Sequence, residues 1–276
     1  DPCHSYEILL GNGSIVSTSP QNDPDLFYGV ASSFGTLGIL LSAEIPLVEA
    51  KPYVEVEVQR FSSIKEFANE ISLLCKNENR PDYIEGLIFS KNDARILKGR
   101  FVDSPKTKVY SQKSPASPWY YQYVLENDHF TMTTYDYIFR YDRGAFWMGS
   151  YALWASLLAR FCFENTKFPQ SLLKPFINHK KGKYNQLKTP PYLFRLLAGW
   201  AMSSYDLYKL LHQKKEGWFS EQFVIQDFYL PEKNLENYLN FTIENHEILP
   251  IWICPCKGTT TPQWCSPHKG EGMFYD

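Results

Sequence analysis

Tyr6-Glu-Ile-Leu-Leu-Gly-Asn-Gly-Ser-Ile-Val16, near the start of the chain, carries the first decision about the fold. Tyr6 to Leu10 and Ile15 to Thr18 are strand-like, and Gly11-Asn12-Gly13 supplies the positive-φ turn that joins two strands in a hairpin. Next, Asp25-Leu-Phe-Tyr28 reads as a short helical turn opened by an acidic cap. Ser32 to Gly38 is a tight loop of mostly small residues, and Ile39 to Ile45, ending at Pro46, is a strand. The composition shifts at Lys51-Pro52, so a domain boundary is expected near residue 50.

Beyond that point Val54, Val56 and Val58 alternate with Glu55 and Glu57, the pattern of a half-buried strand. Ser63 and Glu66 make a capping box for a helix whose apolar face is Ile64, Phe67, Ala68, Ile71 and Leu74. Tyr83 to Ser90 and Arg95 to Val102 are strands around the turn Lys91-Asn-Asp93. Residues 103–118, with Pro105, Pro115 and Pro118, form a loop. Tracts rich in aromatics and leucine at 119–125, 144–163 and 192–211 suggest helices. Between them, 164–191 holds four prolines and Lys180-Lys181 and reads as an exposed insertion. Phe223 to Leu230 is a strand, Pro231 to Asn245 an amphipathic helix, and Pro250 to Cys254 a strand. Strand–helix–strand therefore occurs twice, and the expected class is α+β, with a mostly antiparallel sheet flanked by helices.

The 276 residues carry 28 basic and 30 acidic side chains, a formal charge of −2, which argues against a nucleic-acid binder. Hydrophobic residues at 44% against 21% charged exclude intrinsic disorder. The 16% aromatic content suits a broad apolar ligand, a membrane surface or a ring-packed core. Six scattered cysteines in so long a chain read as reduced thiols rather than a disulfide framework. The uncharged stretch Gly144 to Ala159 is shorter than the ~20 residues of a spanning helix and is expected to be a buried or interfacial helix. Asn12-Gly-Ser14 and Asn240-Phe-Thr242 fit the glycosylation triplet.

Several constellations bear on chemistry. In Gly35-Thr-Leu-Gly38 two glycines let the backbone approach a ligand, and exposed N–H groups there can hold a phosphate; a plain tight turn is the alternative. On the strand Phe223 to Leu230, Asp227 and Tyr229 share a face with Phe223 and Ile225. A carboxylate among rings loses solvation, its pKa rises, and it becomes suited to donate a proton; otherwise Asp227 caps the following helix or faces water. Arg140 and Arg143 either meet a phosphate or pair with carboxylates. Cys254-Pro-Cys256 with Cys265 and His268 has an unusual spacing, and its proline hinders tetrahedral wrapping, so no metal site is expected. No Ser-His-Asp or P-loop pattern occurs.

The hairpin 6–16, Asn22-Asp-Pro-Asp-Leu-Phe-Tyr28 and Phe34-Gly-Thr-Leu-Gly-Ile39 together resemble the closing portion of the FAD-binding, PCMH-type domain of vanillyl-alcohol-oxidase-like flavoenzymes. Asp25 to Val30, Gly35 to Gly38 with Ala43-Glu-Ile45, Phe194-Arg195 with Gly199-Trp200, Val224-Ile-Gln-Asp227 with Pro231, and Pro250 to Pro255 are similar to the delta(24)-sterol reductase family. The similarity is poorest from about Gly149 to Pro191. The resemblance implies that 1–50 close an FAD-binding domain and 51–276 form a substrate-binding cap. It implies backbone contact with FAD for Gly35, Thr36, Leu37, Gly38 and Ile39, and with a phosphate of FAD or NADPH for Arg140 and Arg143. Asp227 and Tyr229 become the catalytic candidates for protonating a sterol alkene, with NADPH as reductant. A sterol substrate implies a membrane surface, in this family that of the endoplasmic reticulum. The part of the domain that holds most of the pyrophosphate lies outside this sequence, so the chain reads as a fragment with weak flavin affinity of its own. A non-catalytic relative with the same fold, or another flavin oxidase, is the alternative; an oxidase of sugar lactones or alditols would need a more polar pocket.

Overall fold

The computed structural model describes residues 3–31, 33–114, 117–142, 203–205, 209, 227–246, 249–260 and 269–276. The helix expected at 144–163, most of that at 192–211, the 164–191 insertion, Arg143, Phe223 to Gln226, Cys265 and His268 lie outside the described residues. Internal contacts divide the chain into two units. The first comprises Asp1–Ala50, Phe228–Asn234 and Pro255–Asp276; the second comprises Lys51–Asp227 and Leu235–Cys254.

The first unit begins with the antiparallel hairpin β1 (Ser5–Leu9) and β2 (Ile15–Thr18), in register from Tyr6↔Thr18 to Leu9↔Ile15. Gly13 takes φ +83°, and its N–H donates to the Leu10 carbonyl at 2.9 Å. α1 (Pro24–Val30) starts one residue before the expected position. Asp23 is its cap, accepting from the Leu26 N–H, and Pro24, with φ already helical, fills the first position. β3 (Ile39–Glu44) pairs antiparallel with β1, giving the order β2-β1-β3. One face buries Tyr6 and Ile8 against Phe27 of α1, with the Tyr6 and Phe27 rings stacked at 4.9 Å. Burial, helped by a hydrogen bond to Cys3, pushes the Tyr6 hydroxyl up to about 12. Ile39, Leu40 and Leu41 of β3 are exposed.

In the second unit the Val/Glu alternation becomes β4 (Tyr53–Phe61), whose valines are buried. Ser63 caps α2 (Ile64–Lys76), its side chain accepting from the Glu66 N–H at 3.4 Å. β5 (Tyr83–Ser90) and β6 (Asp93–Val102) follow as a hairpin. Then come α3 (Tyr120–Glu126), β7 (His129–Thr133) and α4 (Thr134–Ile138). The chain contributes a two-residue strand, β8 (Leu230–Pro231), to the first unit and returns for α5 (Leu235–Asn245) and β9 (Ile251–Ile253). The sheet order is β7-β4-β6-β5-β9, all antiparallel. One face packs Val54, Val56, Leu87, Phe89 and Leu97 against the rings of Trp119, Tyr120 and Tyr123. On the other face lies α2, with α5 beside it; a Cβ at Gly86 would stand only 2.6 Å from the Phe67 ring of α2. Mixed helices with antiparallel sheets make the α+β class.

The last elements, β10 (Pro255–Lys257) and β11 (Met273–Tyr275), join β8 in a sheet ordered β10-β11-β8. Where the sequence places all of 51–276 in one domain, the structure groups 228–234 and 255–276 with the first fifty residues. The strand expected through Leu230 is also shorter within the described residues: Asp227 to Tyr229 have no strand pairing, and only Leu230 and Pro231 pair, with Tyr275 and Phe274. Pro231 has no N–H to donate, which limits that ladder, and a single 3-10 turn (Glu232–Asn234) precedes α5. Among the described residues no helix is long and apolar enough to cross a membrane.

Candidate functional site

The loop before β3 belongs to the first unit. Phe34 is 98% exposed with φ +53°, and Gly35 follows at φ +78°. The Thr36 hydroxyl and amide both donate to the Ser33 carbonyl, at 2.7 and 3.1 Å, and fix the bend. Among the described residues no acceptor meets the amides of Gly35 and Leu37. The two glycines have different tasks. A Cβ on Gly38 would lie 2.6 Å from Ile8 Cγ2 and 2.8 Å from the Leu9 carbonyl oxygen, so β1 itself requires this glycine. A Cβ on Gly35 would meet nothing closer than the Gly38 carbonyl at 3.9 Å and would stand in open space. Only Gly35 therefore answers to the expectation that a side chain there would hold a ligand off. Exposed amide donors beside an uncovered glycine suit the phosphate or carbonyl oxygens of a ligand such as FAD.

A second constellation, in the other unit, was not singled out from sequence. Glu85 of β5 is 2% exposed yet ionised, and five donors surround it. Tyr120 and Arg140 Nε reach Oε1 at 3.0 and 3.1 Å. Arg140, through its terminal nitrogen, Tyr141 and Trp252 Nε1 each reach Oε2 at 2.9 Å. Burial alone would push this carboxyl up, but the Arg140 charge and the hydrogen bonds from Arg140, Tyr141 and Trp252 outweigh it and hold it below the ordinary carboxylate value. Burial and the Glu85 charge drive the Tyr120 and Tyr141 hydroxyls well above theirs, so both stay protonated donors. Arg140 also donates to the Tyr137 carbonyl at 2.9 Å and lies over the Tyr137 and Tyr141 rings at 4.3 and 4.9 Å. The sequence left Arg140 between a phosphate and a carboxylate; the structure pairs it bidentately with Glu85, with the side chain 15% exposed. Of the two partners that the sequence left open, the structure shows the carboxylate. The available signal was one acid inside the otherwise uncharged strand Tyr83-Ile-Glu-Gly-Leu-Ile-Phe-Ser90.

Asp227 and Tyr229 stand on the stretch that leads into β8. Asp227 is exposed and Tyr229 half-buried; the enclosure among rings expected of this carboxylate rests on Phe223 and Ile225, which lie outside the described residues. The strand alternation that would have supplied it does not extend over Asp227 to Tyr229. Cys254 and Cys256 are half-buried reduced thiols, and among the described residues no three His, Cys, Asp or Glu side chains gather as metal ligands. The structure thus brings Gly35 to Ile39 together in one bend and assigns Arg140 to a carboxylate.

No protein-family model matches the chain. The Delta(24)-sterol reductase of Homo sapiens is 27% identical over 287 residues, covering 99% of this chain and 48% of that protein. The Delta(24)-sterol reductase of Arabidopsis thaliana is 25% identical over 298 residues, covering 100% of this chain and 47% of its own length. Cytokinin dehydrogenase 8 of Oryza sativa subsp. indica is 34% identical over 82 residues, or 30% of this chain and 15% of that protein. The chain spans about half the length of the curated sterol reductases it matches. The resemblance read from its motifs is therefore borne out: this chain is similar, along nearly all of its length, to the delta(24)-sterol reductases of animals and plants.

Proposed function

We propose that the whole protein is an FAD-dependent oxidoreductase that reduces the side-chain double bond of a sterol, with NADPH as the source of electrons. The observation that carries this reading is the similarity to Delta(24)-sterol reductases over 99% of the chain. The shorter match to a cytokinin dehydrogenase supports an oxidoreductase scaffold shared between different substrates. In this reading residues 1–50 close a PCMH-type FAD-binding domain. The exposed amides of Gly35 and Leu37, in the bend that Thr36 fixes and Gly38 and Ile39 join to β1, hold FAD by its oxygens. A bound flavin would supply the hydride that one alkene carbon requires. The other carbon needs a proton, and Asp227 and Tyr229 are the proton carriers we assign; Asp227, being exposed, is recharged directly by water. The second unit is the substrate cap. Sterols partition into bilayers, so the protein works at a membrane surface, that of the endoplasmic reticulum.

The test is to produce the protein together with the additional sequence its relatives carry, and to read its visible absorbance and its NADPH-dependent turnover of a side-chain-unsaturated sterol. A yellow protein whose product has gained two hydrogens is expected. A folded, colourless, inactive protein would replace the proposal with a non-catalytic relative of the same fold. An Asp227→Asn variant that retains flavin but loses at least tenfold in kcat supports the proton role; unchanged kcat removes it.

A further inference from the structure

The hairpin tip Gly11-Asn12-Gly13-Ser14 contains the one Asn-Gly pair in the sequence, and all of it is exposed. The Asn12 side-chain carbonyl oxygen accepts two hydrogen bonds, from the Ser14 amide at 3.0 Å and the Ser14 hydroxyl at 2.7 Å. Both donors draw electrons from Asn12 Cγ, as an oxyanion hole does for an acyl carbon. Among the described residues the Asn12 side-chain nitrogen donates to no protein group. Gly13 supplies the adjacent main-chain nitrogen with no atom crowding it: nothing stands within 4 Å of its Cβ position. That N–H donates to the Leu10 carbonyl at 2.9 Å and must leave this bond to react, a small local opening at a solvent-exposed tip.

We infer that Asn12 is a site of spontaneous deamidation, its co-reactant water. Gly13 N loses its proton and bonds to Asn12 Cγ, the Cγ–Nδ2 bond breaks, and Nδ2 leaves with a proton as ammonia. Water then opens the resulting cyclic imide at either carbonyl, giving aspartate or isoaspartate; no oxidant or reductant takes part. Ser14 is the positioning residue, since it polarises the carbonyl without bonding to the reacting nitrogen. Aspartate would place a charge on the tip. Isoaspartate would lengthen the main chain by one carbon inside the turn closed by the Leu10 amide and the Ser14 carbonyl at 2.9 Å, and so disturb the Leu9↔Ile15 register.

Asn77 is an internal control. Its side-chain carbonyl accepts from the Asn79 amide at 2.8 Å in the same local pattern, but Glu78 follows it and shields the attacking nitrogen with a side chain. The experiment incubates the purified protein at neutral and mildly alkaline pH and maps peptides by mass spectrometry, in water and in heavy-oxygen water. The expected result is a gain of one mass unit at Asn12, faster at the higher pH, with heavy oxygen incorporated and conversion at least tenfold ahead of Asn77. Ser14→Ala should slow it several-fold while the folded circular-dichroism spectrum stays unchanged. Equal rates at Asn12 and Asn77 would overturn the inference. So would a glycan on Asn12, which blocks the departure of ammonia. Native-rate conversion in Ser14→Ala would remove Ser14 from the mechanism.

Discussion

Replacing Glu85 by glutamine keeps the shape of the side chain but removes the charge that Arg140 faces. Arg140 would then be a largely buried cation, paired at best with an amide, and breaking such a pair costs about 3–5 kcal/mol. Glu85→Gln should lower the denaturant midpoint accordingly, and a loss below about 1 kcal/mol would show that solvent already screens the pair. The pH dependence carries its own sign. The folded-state pKa of Glu85 lies below the ordinary value of 4.5, so its contribution is complete above that value and is lost as pH falls through the lower, folded one. Native protein should therefore lose stability on acidification, and Glu85→Gln should flatten that part of the profile in urea melts taken at several pH values. Glu85 was illegible in the sequence for a physical reason. An acid in a strand is buried only when its partners arrive from elsewhere, and these stand 35 residues away at Tyr120 and 167 away at Trp252.

At the scale of elements, the bend before β3 separates two kinds of glycine. Gly38→Ala forces a Cβ into Ile8 and the Leu9 carbonyl of β1, and overpacking of this kind costs about 1–3 kcal/mol. Gly35→Ala meets open space but must hold φ +78°, for about 1–2 kcal/mol. If the whole protein holds FAD as proposed, Gly38→Ala should lower the melting temperature more, and Gly35→Ala should weaken flavin retention more relative to its effect on stability. The reverse order, read by thermal melts and flavin release, would detach Gly35 from the cofactor. Local chemistry made the hairpin, α2 and the β5–β6 pair legible, because Gly11-Asn12-Gly13, Ser63 with Glu66, and a short polar turn each act within a few residues. β7, β10 and β11 escaped because strands of three to five residues are stabilised by their neighbours. Among the described residues β7 pairs with β4 on one side and bridges Val109 through Thr131 on the other, and β10 pairs with β11.

For the whole molecule, the break at Ala50–Lys51 and the return of the C-terminal strands to the first unit make the second unit nearly continuous in sequence. We expect residues 51–254, which bring all five strands of the larger sheet, to unfold in one cooperative thermal transition when produced alone. A broad, non-cooperative melt would mean that the second unit depends on the first. The first unit is built from three separated stretches and leaves Ile39, Leu40 and Leu41 exposed on β3, so its stability by itself should be lower. Its small core of Tyr6, Ile8 and Phe27 supports the same ranking.

The pairing of β9 with β5, through Gly86↔Ile253 and Ile88↔Ile251, fixes an order of events during synthesis. Among the described strands of the larger sheet, four leave the ribosome long before the fifth, and through that interval none of them pairs with the outer backbone edge of β5. Glu85 waits as long for the indole that completes its shell. A translating ribosome thus carries a nascent chain with a raw edge and an under-coordinated acid, the species for which a chaperone that shields unpaired strands would be recruited.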